Sequence, residues 1–384
     1  MTKIAILGAA GAMAEVVRRD LSEFSPATEI TLVDLREIAA KYSNERAATV
    51  DVRDEAATAR LLAGHDAVLN CVTYYWNLPV MRAALAARVP YSDLGGLYHG
   101  TQKQFDLHDE FVAAGVPALL GMGSTPGITN AMAGFLAREL DRVHEAHVRV
   151  GCLDRGATAA GGPLPIPYAL DTVLDEFALE PFVVEKGQAH PVAPRSGEEE
   201  IDFPLPVGRM RAIYTLHSEV AMFARSFPGL SGASFKVAFE PAFMEKVRFL
   251  VELGFAGRAP RVGGVSPRQM LLALGADQAP PPGGVGEPDD CDCLRVDLAG
   301  EIDGRPVRRR GESIIGPHRA WGFGAGALDT GVPLAIAGQL LAERAVVTPG
   351  VLCPERALPF ERFFDELAKR GIQVAFSEQG QLDD

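Results

Sequence analysis

Short apolar runs and helix-period stretches alternate through the first third of the chain. Ile4-Ala5-Ile6-Leu7 is a compact apolar run ended by glycine, the pattern of a buried strand. A helical pattern follows from about Ala12 to Phe24, then further apolar runs at Glu29 to Val33 and Ala67 to Val72. This alternation predicts βαβ units on a parallel sheet. Leu78 to Arg88 predicts another helix, with Asn77 as its cap and Pro79 tolerated in the first turn. A short strand at Tyr91-Ser92, a polar helical stretch through Phe111 and an apolar strand from Val116 to Leu120 follow. The Gly121-Met122-Gly123-Ser124-Thr125-Pro126-Gly127 stretch then breaks the pattern.

After Asn130 the rhythm changes. Val148 to Val150, Phe182-Val183-Val184, Arg211 to Thr215, Ser234 to Phe239 and Leu294 to Ile302 predict strands joined by long connections, as in an α+β domain on an antiparallel or mixed sheet. Asp303-Gly304 is a hairpin signal. Gly254 to Asp290 is rich in Gly and Pro; Pro267 to Leu274 inside it predicts a helix, and Ala279 to Pro288 a mobile surface loop. Apolar helical periodicity returns from Gly331 to Glu343, and Phe360 to Arg370 predicts a helix before a final Ile372-Gln373-Val374. These end segments are expected to pack on the first domain.

At 384 residues and 47% hydrophobic content the chain has material for two cores rather than one. Its net charge of -13 disfavours nucleic acid and anionic lipid as partners, which need concentrated Lys and Arg. A small molecule is the expected ligand. The N-terminal apolar run is too short for a signal segment, and no other stretch is expected to span a membrane. Five scattered cysteines suggest reduced thiols and a cytoplasmic setting.

The segment from Ile4 to Ala14 supplies candidate chemistry. A phosphate-binding turn between strand and helix needs glycines where the backbone turns sharply or approaches the ligand, so that helix amides face the anion. Gly8 and Gly11 are placed for this, with Ala10 where the usual fingerprint has its second glycine, and Ala12 and Met13 opening the helix. Glu29 to Val33 ends in Asp34, positioned to bind the adenosine ribose hydroxyls. A carboxylate there repels a 2′-phosphate, so NAD is expected over NADP, with Leu35 and Arg36 flanking the ribose. Asp51-Val52 is expected beside the adenine. Asn70-Cys71-Val72, at the carboxyl end of a strand, is expected to border the nicotinamide; for Cys71 a buried apolar role is the simpler one.

Four stretches are similar to the saccharopine dehydrogenase family: the Gly8 loop; Val89 to Gly96; Gly121 to Asn130 with its Pro126-Gly127-Ile128-Thr129-Asn130; and Thr330-Gly331-Val332-Pro333 with Val351 and Pro354-Glu355. Tyr214 to Glu219, followed by Arg225-Ser226-Phe227, resembles the pocket segment of the family's short bacterial lysine 6-dehydrogenase group. Ala10 and Ala14 stand where the family loop commonly has glycines, and Phe223-Ala224 where the subgroup tends to have Leu-Pro. The resemblance implies a doubly wound α/β Rossmann domain formed by residues 1–130 and 331–384. It also implies an inserted α+β domain, 131–330, that shapes the substrate pocket and makes homodimer contacts. It places Gly95 and Pro126 at the cofactor.

Oxidising an amine by hydride transfer needs a neutral nitrogen, a base for its proton and charged anchors for the rest of the substrate. Asp93, at a strand end, either meets the substrate ammonium or caps the next turn. His217 has a pKa class suited to proton transfer, with Glu219 beside it. Arg225 is the candidate clamp for a carboxylate. Tyr74-Tyr75-Trp76 either walls the nicotinamide pocket or packs on the second domain. The resemblance implies that Tyr168 and Asp171 lie over the substrate. His144-x-x-His147 and Asp289-Asp290-Cys291-Asp292-Cys293 lack a zinc ligand set, so no catalytic metal is expected.

The expected activity is NAD-dependent oxidation of an amino acid at CH–NH2 or CH–NH, foremost L-lysine at its terminal amine. The alternatives are a secondary-amine dehydrogenase of the saccharopine or carboxynorspermidine kind, and a dinucleotide-binding regulator without turnover.

Overall fold

Seven short, mostly apolar strands make one parallel sheet in a computed structural model that describes residues 2–155, 169–277 and 288–379. They are β1 (Lys3–Leu7), β2 (Glu29–Asp34), β3 (Glu45–Thr49), β4 (Ala67–Asn70), β5 (Tyr91–Asp93), β6 (Pro117–Leu119) and, from far along the chain, β15 (Gly350–Leu352). Their order is β15-β6-β5-β4-β1-β2-β3, with every pairing parallel. The winding reverses between β1 and β4. Open α/β sheets bind ligands at such a reversal, beyond the carboxyl ends of the strands.

The other strands form a mixed nine-stranded sheet: β7 (Arg142–Asp154), β8 (Phe182–Glu185), β9 (Gln188–Pro191), β10 (Glu199–Asp202), β11 (Arg209–Tyr214), β12 (Gly232–Ala238), β13 (Asp290–Ile302), β14 (Arg305–Ile315) and β16 (Ala375–Gln379). The hairpin β13–β14 turns at Asp303 and Gly304, both at positive φ (51° and 70°). β16 pairs with β14, so the chain's last described strand belongs to this sheet, a departure from the expectation that the end segments pack on the first domain.

The helices are α1 (Ala12–Phe24), α2 (Glu55–Leu62), α3 (Asn77–Ala87), α4 (Leu97–Phe105), α5 (His108–Ala114), α6 (Ile128–Ala137), α7 (Leu170–Ala178), α8 (Glu219–Ser226), α9 (Pro241–Glu252), α10 (Pro267–Asp277), α11 (Ala325–Ala342), α12 (Pro354–Ala357) and α13 (Phe360–Lys369). The stretch read as one polar helix through Phe111 is two, α4 and α5.

The helix expected from Gly331 begins earlier, at Ala325, and contains Pro333. By length and apolarity α11 matches a membrane span, yet most of it is buried inside the protein. Its packing needs small residues: a Cβ on Gly331 would lie 2.6 Å from the Val16 side chain of α1 and 3.1 Å from the Met13 carbonyl. Thus α11, together with β15, returns the C-terminal part of the chain to the parallel sheet. Tyr168 and most of the 279–288 stretch lie outside the described residues.

Candidate functional site

The turn after β1 is held by its own backbone. The amides of Gly8 and Ala9 donate to the Val33 carbonyl (2.8 and 3.1 Å), and the Gly11 amide to the Gly8 carbonyl (2.9 Å). Gly8 has φ +76, and a Cβ there would sit 2.8 Å from the backbone of Cys71 and Val72, so only glycine fits between the ends of β1 and β4. Gly11 caps α1 without a side-chain bond to its amides. These orphan donors, at the positive end of the helix dipole, suit an anion.

Asp34 ends β2 and accepts from the Ala10 amide (3.1 Å) and from the Arg36 amide and Nε (3.0 and 3.3 Å). Partial burial opposes its ionisation. The bonds from Arg36 and Ala10 outweigh this and pull the carboxyl below its usual value. Ala12 and Leu35 are exposed near this turn. Asp51 follows β3 and is paired with Arg53, whose guanidinium lies 6.0 Å from the Trp76 ring centroid; Val52 is half-buried. Glycine turn, uncapped helix and acid at the β2 tip fit a dinucleotide.

Between the two sheets lies a cavity of about 670 Å³. Its nucleotide-side wall includes Met13, Cys71, Val72, Tyr74, Gly95, Thr125 and Pro126. Its floor is one face of the second sheet, with Phe235, Val237, Val150 and Cys152, and α11 contributes Asp329 and Thr330 at the far side.

His217 stands at one end, its ring stacked on Phe235 (3.9 Å between centroids, 15° apart). Its Nδ1 is 2.6 Å from Oε2 of fully buried Glu219, which also accepts the Thr125 hydroxyl. A carboxylate only accepts, so the imidazole places its N–H on Nδ1 and presents Nε2 toward Glu176 Oε1, 3.9 Å away. Burial works against a charged His217. Attraction and hydrogen bonding from Glu219, with a smaller pull from Glu176, more than offset it and raise the pKa above 6.5. This group can accept and return a proton near neutrality.

Asp290, Asp292 and Asp329 face the other end, with Asp154, Glu176 and Glu240 also in the lining; among the described residues no Lys or Arg lines the cavity. Burial, followed by mutual repulsion, pushes Asp292 up to about 7 and Asp329 well above the usual carboxyl value. The sequence reading weighed the Asp289 to Cys293 run only as a metal site and set it aside. Period-two alternation of β13 was the available signal. It puts Asp290 and Asp292 on the cavity face, and Cys291 and Cys293 in a small apolar cluster with Phe203 and Val207 on the other.

Several expected contributors lie elsewhere. Asp93 is fully buried and spends its oxygens on the amides of Gly95 (3.0 Å) and Gly121 (2.7 Å), Gln104 Nε2 (2.6 Å) and the Tyr91 hydroxyl (2.8 Å). It braces two loops and does not line the cavity. Arg225 is exposed on α8 with its guanidinium 4.6 Å from the Phe105 ring centroid. Asp171 pairs with Arg268 and Arg258 (2.7 and 3.2 Å) and is also absent from the lining. Asn70 is buried, with its amide on Asn77 and Tyr91. His144 pairs with Glu301, and His147 with Ser234 and Glu145.

Comparison with known proteins finds relatives of this sequence and fold. The sequence profile of the saccharopine dehydrogenase NADP-binding domain matches residues 4–119, and that of the saccharopine dehydrogenase C-terminal domain matches residues 123–372. A carboxyaminopropylagmatine dehydrogenase of Synechocystis sp. is 26% identical over 66% of this chain and 66% of its own length, just under two thirds of that relative. A carboxynorspermidine synthase of Vibrio cholerae is 24% identical over 83% of this chain and 79% of its own. The apo saccharopine dehydrogenase (L-Glu forming) of Saccharomyces cerevisiae superposes with a TM-score of 0.73 at 18% identity, covering 99% of this chain and 100% of that one.

Proposed function

The chain belongs to the saccharopine dehydrogenase family, and from that premise we propose that it oxidises or reduces a C–N bond of a cationic secondary amine with a nicotinamide dinucleotide. The observation that carries this reading is the acid-lined cavity: six acidic side chains and, among the described residues, no lysine or arginine. A multiply anionic substrate such as saccharopine needs bidentate cations there. With Arg225 outside the cavity, the lysine 6-dehydrogenase expectation also loses its carboxylate clamp. A polyamine or guanidine tail suits the Asp290, Asp292 and Asp329 end instead. The names of the Synechocystis and Vibrio relatives, built on agmatine and norspermidine, point the same way.

When bound, the nicotinamide supplies the hydride acceptor or donor. His217 takes the amine proton in oxidation and returns it in reduction. Glu219 fixes its tautomer and stabilises the charge it gains. A titratable group in the cavity also weighs against a purely regulatory role.

The test is initial-rate assay in both directions with lysine, saccharopine, carboxylated polyamines and carboxylated guanidines. Turnover of saccharopine alone would overturn the cationic reading. Asp292→Asn is expected to raise KM for a cationic substrate about tenfold, the scale of one charge-assisted bond, with kcat less affected. Because Asp292 ionises only above about 7, wild-type KM should fall as pH rises through that value. A flat KM from pH 6 to 8 would count against this assignment.

For the dinucleotide, Asp34 favours NAD. Fluorescence titration should show tighter binding of NADH than NADPH. Asp34→Ser, which leaves Arg36 free to meet a 2′-phosphate, should narrow or reverse that preference by about tenfold or more. Tighter NADPH binding by the wild type would refute it.

A further inference from the structure

Asp175 and Glu176 are neighbours on α7 with different tasks. Asp175, nearly fully buried, accepts the Tyr74 hydroxyl (2.6 Å) and the Tyr75 hydroxyl, and pairs with Arg258 (3.0 Å) and Arg268 (2.7 Å). Arg258 also donates to the Tyr75 hydroxyl and lies 4.7 Å from that ring's centroid. Glu176 turns into the cavity toward His217, and its main-chain carbonyl accepts the amide of Leu216, the residue before His217 (3.1 Å). The two tyrosines sit on the turn directly after β4, whose exit residues Cys71, Val72 and Thr73 form the nucleotide-side wall.

We infer that Asp175 is a positioning residue: through Tyr74 and Tyr75 it fixes the spacing between the cofactor-side wall and the Glu176–His217 pair. The inference rests on His217 being the proton-transfer group. Charge within the cluster favours this division of labour. Asp171 and Asp175 are matched by Arg258 and Arg268 in the second domain, so the two aspartates keep cationic partners when the phenols are removed. The tyrosines are therefore a link across the cavity mouth and not the support of α7 itself. α7 carries both ends of the coupling on consecutive residues, and one turn of helix leaves little room for one to move without the other.

The test is the double variant Tyr74→Phe/Tyr75→Phe, which keeps the rings and removes both hydroxyls. Each lost bond to a carboxylate is expected to lower kcat/KM about tenfold. The discriminating readout is the pH profile. Glu219 of α8 and Glu176 of α7 are the charged groups facing His217, with the Phe235 ring of β12 against its plane. If α7 loosens, Glu176 withdraws, and the rising limb of kcat/KM in the oxidative direction shifts to lower pH. A loss of kcat/KM with an unmoved limb would overturn the inference, as would unchanged kinetics. If the wild type turns over no amine, the proposed function fails by itself, and hydrogen exchange then decides the coupling. Faster exchange in both Leu170–Ala178 and residues 73–77 of the variant supports it, and unchanged exchange in α7 overturns it.

Discussion

Replacing His217 with glutamine is expected to lower turnover by about 10²- to 10⁴-fold, the usual contribution of a positioned acid or base, while dinucleotide affinity stays within about twofold. The separation follows from geometry, because His217 belongs to the β11–α8 connection of the second domain, whereas the glycine turn and Asp34 belong to the first. Glu219→Gln tests the same assembly from behind. His217 is raised because Glu219, helped by Glu176, overcomes burial. Without the Glu219 charge, burial has less opposition and the imidazole pKa falls. Amine oxidation needs His217 neutral to receive a proton. The oxidative limb therefore rises with pH through a pKa above 6.5 in the wild type, and moves to lower pH in Glu219→Gln. Rates measured from pH 5.5 to 9 with a saturating dinucleotide check both claims. A His217→Gln enzyme that keeps more than a tenth of wild-type kcat would remove this residue from the chemistry.

What the sequence revealed and what it hid divide along the range of the interactions involved. The glycine turn was legible because it is local: strand, tight turn and helix are adjacent, and Asp34 lies at the end of the next strand. His217 and Glu219 were legible as a pair two residues apart on one short connection. For Asp93 the sequence left substrate contact and turn capping both open, because strand-end position says where a backbone ends and not which way its carboxylate turns; here Tyr91, Gln104 and two loop amides claim it, Gly95 of the next turn among them. Arg225 misled through helical phase. It lies six residues beyond Glu219 on α8, about 240° round the helix, so when Glu219 faces inward Arg225 faces out. The acidic end of the cavity was hidden for a different reason. Asp290 and Asp292 on β13 and Asp329 on α11 are brought together only by tertiary packing; the alternation of β13 puts the first two on one face but does not say what that face meets.

The buried link between the first and last helices of the nucleotide-binding half leads to the largest stability effect. Arg370, just past α13, is 1% exposed. It donates to both Asp20 oxygens on α1, to Glu366 (2.6 Å) and to Gln339 of α11 (3.2 Å), with its guanidinium 3.9 Å from the Phe24 ring centroid. In Arg370→Met, Glu366 keeps Lys369 and Gln339 keeps Ser25, but Asp20, fully buried, loses its cation. Stranding one partner of a buried pair costs roughly 3–5 kcal/mol.

The loss should depend on pH in a definite sense. Burial already lifts the folded-state Asp20 carboxyl from 3.8 to about 6 in spite of Arg370. The folded form thus holds the proton more tightly than the unfolded form, and stability from this group declines as pH rises from about 4 to about 6. Removing Arg370 lifts the folded value further and extends the decline above 6, so urea unfolding should show a deficit that grows between pH 6 and 8. Asp20→Leu/Arg370→Met replaces the pair by apolar volume and should recover most of the loss, since a buried ion pair contributes little net stability over a hydrophobic substitute. A deficit independent of pH, or a double variant as weak as the single one, would mean that Arg370 acts through packing on Phe24 and not through Asp20.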